Sequence, residues 1–246
     1  MPERLVFQDA AGRVLTTRDL EAFSGQVDWQ IKGGHTVPTD AVRLHEDARA
    51  AGARGEYDRA LALLDAAHAR APGWPYPVYD AAFTYLLQGD TDTAERCYAH
   101  VDRLAPRGFF TCKTTLDCLG RERAGELPAG FCKAFTTLEC LGDLPRKKAI
   151  LDGILARFPG FAPAWKELAA LLDDPGDRLR AIERGLEAWP DPETRGMLLL
   201  NKALVLNQRG ERSAAIDILG DLALDPASTL ATETLAKATL ARVIDA

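Results

Sequence analysis

The segment GEYDRALALLDAAHARAP at residues 55–72 is answered by GDTDTAERCYAHVDRLAP at residues 89–106, an offset of 34 residues. Both open on Gly, close on Pro and space their apolar residues three or four apart, as a helix with one buried face requires. The same offset lays Leu44, Ala48 and Ala51 over Val78, Ala82 and Tyr85, and then Tyr57, Ala60, Leu64 and Ala67 over Thr91, Ala94, Tyr98 and Val101. Each unit therefore predicts an antiparallel helix hairpin. Two helices approach closely only where a side chain is tiny, which Ala48, Ala60, Ala82 and Ala94 provide. Leu64 and Tyr98 fill the space opposite, and Pro72 and Pro106 end the second helices because proline donates no backbone N–H.

Punctuation of this kind, with small residues at fixed places, resembles the tetratricopeptide repeat (TPR) family over about residues 41–226. The resemblance implies an all-α fold, a right-handed superhelix of antiparallel helix hairpins. It also implies a role in holding peptides or protein partners rather than in catalysis.

Later units are looser. Phe131, Ala134, Leu138, Gly142, Leu144, Leu151, Ile154 and Pro159 keep the register, but Phe135 and Lys147 stand where small residues are expected, so packing there should be wider. Trp165, Leu168, Ala169 and Leu172 open a pair that ends at Pro190 and is short near DDPGD. Asp191-Pro192-Glu193 reads as a fresh helix start: a capping residue, Pro at the first helical position and an early acid. Leu199, Ala203, Leu206, Gly210, Ala215, Leu219, Leu222 and Pro226 complete a last pair, and Ser228 to about Ile244 reads as an amphipathic capping helix.

Two stretches depart from this order. GFFTCKTTLDCLG at 108–120 and GFCKAFTTLECLG at 130–142 echo each other at an offset of 22, both as first helices of a hairpin. Only the second has a full partner helix behind it; the first is followed by RERAGEL and Pro128. One hairpin has lost its second helix, which predicts a phase break near 120–130. Residues 1–35 have a strand rhythm instead: LVFQ, the turn DAAG and RVLT read as a hairpin, a short helix follows Thr16-Thr17, and Val27, Trp29 and Ile31 alternate as in a strand. The expected organisation is a β-containing appendage over 1–35, a linker with Gly33-Gly34 and Pro38, and a helical-repeat domain over 39–246.

With 246 residues, 47% of them hydrophobic, the chain can build a substantial core, and a net charge of −6 argues against a nucleic-acid partner. The start MPERLVFQDA has no secretory pattern and no later run is long enough to span a membrane, so a cytoplasmic, bacterial-type protein is expected, with neither nucleic acid nor membrane as partner. Five cysteines then need no disulfide framework. Cys112, Cys118, Cys132 and Cys140 follow C-x5-C-x13-C-x7-C, without the short knuckles of structural zinc sites. Residues six apart on a helix point about 120° from one another, so Cys112 and Cys118 are poorly placed to share an ion. With Cys97, they are expected to be buried thiols, and no metal or cofactor is expected. No catalytic motif appears, and His35, His45, His68 and His100 have no matched acid or nucleophile at ligand spacing; an enzyme is not expected.

The resemblance carries a groove with it, since first helices line the concave face of such repeats. The corresponding positions are Val42, His45 and Arg49, then Tyr76, Tyr79, Phe83 and Leu86, with Lys113, Lys133 and Lys166 from later first helices. His45, Arg49, Tyr79 and Phe83 stand where some relatives place Lys and Asn to grip a C-terminal carboxylate, so a peptide with aromatic or aliphatic anchors fits better than an acidic tail. The competing reading is that Tyr76, Tyr79 and Phe83 pack against the N-terminal strands or a neighbouring repeat. Two other readings of the chain are a scaffold that self-assembles as a homo-oligomer through those strands, and a thiol- or metal-dependent enzyme around Cys112–Cys140.

Overall fold

The computed structural model describes residues 4–8, 13–15, 28–32, 36–139 and 141–245. Three short strands come first: β1 (Arg4–Gln8), β2 (Val14–Leu15) and β3 (Asp28–Lys32). They form an antiparallel sheet in the order β2-β1-β3, with Phe7 opposite Leu15 and Leu5 opposite Ile31. Phe7 and Leu15 are buried, so one face of the sheet rests on other elements rather than on water. The expected turn DAAG, the short helix after Thr16-Thr17, Val27 and Gly33-Gly34 lie outside the described residues.

From Thr39 onward the described regular structure is helical. α1 (Thr39–Ala53) pairs with α2 (Tyr57–Arg70), and α3 (Pro75–Gln88) with α4 (Thr91–Leu104). The seams are the alanines the repeat marks out: Ala48 and Ala60 are 1% exposed, and Ala82 and Ala94 not at all. Gly55 and Gly89 sit at φ +77° and +87°, a left-handed turn that L side chains resist. Across these turns the N–H of Glu56 returns to the Ala51 carbonyl and that of Asp90 to the Tyr85 carbonyl, satisfying groups that a helix end leaves open. Asp90 then caps α4 by accepting from the Thr93 N–H at 3.1 Å.

α5 (Cys112–Arg123) is followed directly by α6 (Phe131–Glu139), with no helix over residues 124–130. α7 (Leu144–Arg157), α8 (Ala162–Ala170), α9 (Pro175–Glu187), α10 (Pro192–Gln208), α11 (Arg212–Leu224) and α12 (Leu230–Asp245) complete the chain. The irregular residues on α6 and α7 are absorbed chemically. Phe135 joins Phe131 and Phe161 in an aromatic cluster, and Lys147, 7% exposed, reaches Glu167 of α8 at 2.7 Å.

Contacts distant in sequence hold the middle of the chain to its end. Asp191 caps α10 through the Glu193 and Thr194 N–H groups, and the same carboxylate accepts from Thr114 Oγ1 of α5 at 3.0 Å. Glu193 accepts the Thr114 N–H at 3.0 Å, and Leu230 at the start of α12 donates to the Arg107 carbonyl at 2.8 Å. Arg107 also pairs with Glu233. Thus the α4–α5 loop and the start of α5 are bound to the starts of α10 and α12. The architecture is an all-α tetratricopeptide-like superhelix with a small sheet placed against it.

Candidate functional site

Two cavities lie among the first helices. The first, about 290 Å³, is open between α1, α2 and α3. Ala48, Gly52, Leu64 and Leu87 contribute apolar wall, Phe83 adds an aromatic face, and Arg49 and Asp80 supply opposite charges. Arg49 is 69% exposed and its Nε stands 4.0 Å from Asp80 Oδ2, so its guanidinium keeps donors for a ligand. The second cavity, about 250 Å³, is bounded by Thr111 at the start of α5, Thr114 of α5, Lys166 of α8, Met197 of α10 and Leu235 of α12, with Leu5 and Phe7 of β1 also lining it. The N-terminal sheet therefore stands on the first-helix face of the repeats.

The residues marked out in the sequence divide accordingly. Arg49 and Phe83 meet in the first cavity, and Lys166 borders the second while pairing with Glu167 at 3.2 Å. His45 is turned inward: its Nε2 lies 2.8 Å from Asp80 Oδ2, and its ring meets Trp74 and Tyr76 edge-on. Tyr76 packs against Phe109 and Phe110, and its hydroxyl accepts the Ile31 N–H of β3 at 2.8 Å. Tyr79 lies against Tyr98 and Phe109, its hydroxyl 3.0 Å from Thr111 Oγ1, and burial pushes that hydroxyl's pKa well up. Leu86 has no exposed surface and belongs to the core. Val42 is half-buried, Lys113 pairs with Asp102 of α4, and Lys133 lies apart on α6. On α3, Tyr76 is thus half-buried under β3 and Tyr79 against Tyr98, Phe109 and Phe110, whereas Phe83 lines the first cavity. The physical reason is the sheet, whose docking takes up Tyr76.

Glu193 and Thr114 stand out only in the folded chain. Glu193 is 8% exposed, and burial, reinforced by Asp191, raises its carboxyl from 4.5 to about 8, although the Thr114 N–H opposes the rise. The cysteines also pair differently from the sequence argument, which compared Cys112 with Cys118. Cys112 is buried and donates to the Tyr98 carbonyl at 3.2 Å, whereas Cys118 meets Cys132 across two helices, with Glu122 beside them. Cys97 is half-buried, and Cys140 lies outside the described residues. Among the described residues, no helix is long and apolar enough to cross a membrane.

The family profile described as "Tetratricopeptide repeat" matches residues 53–107, from the end of α1 through the α4–α5 loop. Over those residues the chain resembles a tetratricopeptide repeat. Solved structures show the same likeness at low identity. MamA (41-end) from Desulfovibrio magneticus RS-1 is 14% identical, with a TM-score of 0.35 over 86% of this chain and 100% of that one. TTC0263, a thermophilic TPR protein of Thermus thermophilus, is 18% identical, with a TM-score of 0.34 over 81% and 99%. YrrB, described as a TPR protein with an unusual peptide-binding site, is 14% identical, with a TM-score of 0.33 over 81% of this chain and 91% of that one. None of the curated proteins compared matches the chain. The likeness rests on the matched residues and on the Ala-seamed hairpins they form.

Proposed function

We propose that this chain binds a short segment of a partner protein in the open cavity between α1, α2 and α3, as an interaction module and not as an enzyme. The observation that carries this reading is the meeting of Phe83 and Arg49 in one largely apolar cavity that none of the described residues of β1–β3 lines. An aliphatic or aromatic side chain fits the wall formed by Ala48, Leu87 and Phe83, and a neighbouring carboxylate on the same segment satisfies Arg49. Lys166 and the second cavity serve as an extension of the site only when β1 leaves its place. Residues 1–35 act in this reading as a cover over part of the groove, attached to the repeats of 39–246.

The self-assembly reading has less support. The Ile31 N–H on the outer edge of β3 is already taken by Tyr76, and β2 is only 2 residues long, so the sheet offers little free edge to a second copy.

Selection of peptides from a displayed random library tests the site. The intact chain should enrich segments with an apolar anchor beside an acidic residue. An Arg49→Glu, Phe83→Ala variant with unchanged helical content should lose them. Equal retention by both proteins would remove this cavity as the site.

A further inference from the structure

The joint between α5 and α6 gathers three metal-ligating side chains. Cys118 and Glu122 are one turn apart on α5, and Cys132 is the second residue of α6. Their two sulfurs and a carboxylate oxygen all lie within 4.8 Å of one another. Tetrahedral Zn²⁺ holds sulfur at about 2.3 Å and carboxylate oxygen at about 2.0–2.2 Å, which sets ligand atoms roughly 3.5–3.8 Å apart. Closing the set requires movements of about an ångström, within the reach of side-chain rotation.

The surroundings prepare these groups. Both sulfurs belong to residues only 2% exposed, and Glu122 is half-buried. The Glu122 carboxylate accepts the Gly130 N–H at 2.9 Å and also the Cys132 N–H, so its orientation is fixed while lone pairs remain for a cation. Cys132 stands in the first turn of α6. Two sulfurs with one carboxylate suit Zn²⁺: Mg²⁺ and Ca²⁺ prefer oxygen throughout, and Cu⁺ gains little from the carboxylate. The location has a mechanical consequence, because α5 and α6 are consecutive helices with no second helix between them.

We propose that Cys118, Glu122 and Cys132 form a Zn²⁺ site that fixes the angle between α5 and α6 where the repeat loses a helix. On binding, each thiol releases its proton to solvent, two Zn–S bonds and one Zn–O bond form, a water completes the tetrahedron, and no electron is transferred. The site is independent of the partner-binding cavity.

Metal titration of the reduced, chelator-treated full chain tests it. Co²⁺, used as a spectroscopic probe, should give a thiolate-to-metal charge-transfer band that saturates at one equivalent and disappears when Zn²⁺ is added. Cys118→Ser and Cys132→Ser should abolish the band, Glu122→Gln should weaken binding about 10- to 100-fold, and Cys97→Ser and Cys112→Ser should leave it intact. Because serine variants in a core can unfold, alkylation of the unsubstituted chain gives a second reading: Zn²⁺ should slow modification of Cys118 and Cys132 while leaving Cys97 unaffected. No band, a band that survives in both folded Cys118→Ser and Cys132→Ser variants, or absence of protection by Zn²⁺ would overturn the proposal. So would a Cys118–Cys132 disulfide formed in air with no affinity for metal after reduction.

Discussion

The backbone N–H of Ile31 donates to the Tyr76 hydroxyl at 2.8 Å, linking the edge of β3 to the first turn of α3. This bond holds the N-terminal sheet on the repeats and removes Tyr76 from any open groove. Tyr76→Phe keeps the ring against Phe109 and removes the hydroxyl that accepts from Ile31, at a cost of roughly 0.5–1.5 kcal/mol. Hydrogen exchange should accelerate at Ile31 and its neighbours in β3, while amides in α3 and α4 keep their protection. Unchanged exchange in β3 would mean that other contacts hold the sheet.

Glu193 makes stability depend on pH in the opposite sense from an ordinary carboxylate ion pair. Burial raises its carboxyl from 4.5 to about 8, so within that window the folded chain retains a proton that the unfolded chain gives up. Stability should therefore fall as pH rises from about 4.5 to 8, by up to roughly 1.4 kcal/mol per unit, with the full benefit present below the window. Urea midpoints measured from pH 5 to 8.5 should show the decline. Glu193→Gln, which still accepts from Thr114, should flatten it.

Gly196 faces Thr232 where α10 meets α12, and a methyl group at 196 would run into the Thr232 side chain. Thr232 is 1% exposed and bonded to Thr229, so it has little freedom to withdraw. Gly196→Ala should destabilise by roughly 1–3 kcal/mol despite the better helix propensity of alanine. Thr232→Ala in the same chain should return part of that loss, which a double-mutant cycle in urea reads directly.

Lys147 and Glu167 oppose the Glu193 effect. Burial works against the Glu167 carboxylate, but Lys166 and Lys147 together hold its pKa below the ordinary value. This stabilisation is present above that ordinary value and is lost as pH falls through the lower, folded one. Lys147→Met preserves the buried stem and removes the charge. With Lys166 still in place, it should cost less than the roughly 3–5 kcal/mol of a buried pair left with no cation, and it should make acid unfolding less steep.

Local signals were readable in the residues. The 34-residue offset fixes the hairpins through Ala48, Ala60, Ala82 and Ala94, and Asp191-Pro192-Glu193 announces the start of α10, because capping and close approach depend on neighbours in sequence. The missing helix after α5 was visible in the 22-residue echo for the same reason. The site was less legible. Tyr76 and Tyr79 occupy first-helix positions, but whether such residues face a ligand depends on where β3 docks, and no local pattern encodes that. Leu86 falls on the stripe by numbering and in the core by packing. The meeting of Thr114 with Asp191 and of Cys118 with Cys132 crosses helices, so tests based on spacing along one helix, such as Cys112 against Cys118, compare the wrong partners.

The central claim is that a partner segment enters the cavity beside Phe83. A photo-reactive phenylalanine analogue placed at 83 in the full chain, irradiated in cells of the native source, tests this most directly, with the same group at Ile150, exposed on the second helix α7, as control. The account predicts a discrete crosslink from position 83 to one short segment of a partner, lost on Arg49→Glu, and none from position 150. Equal labelling from both positions, or crosslinks from 83 only to this chain's own residues, would contradict it.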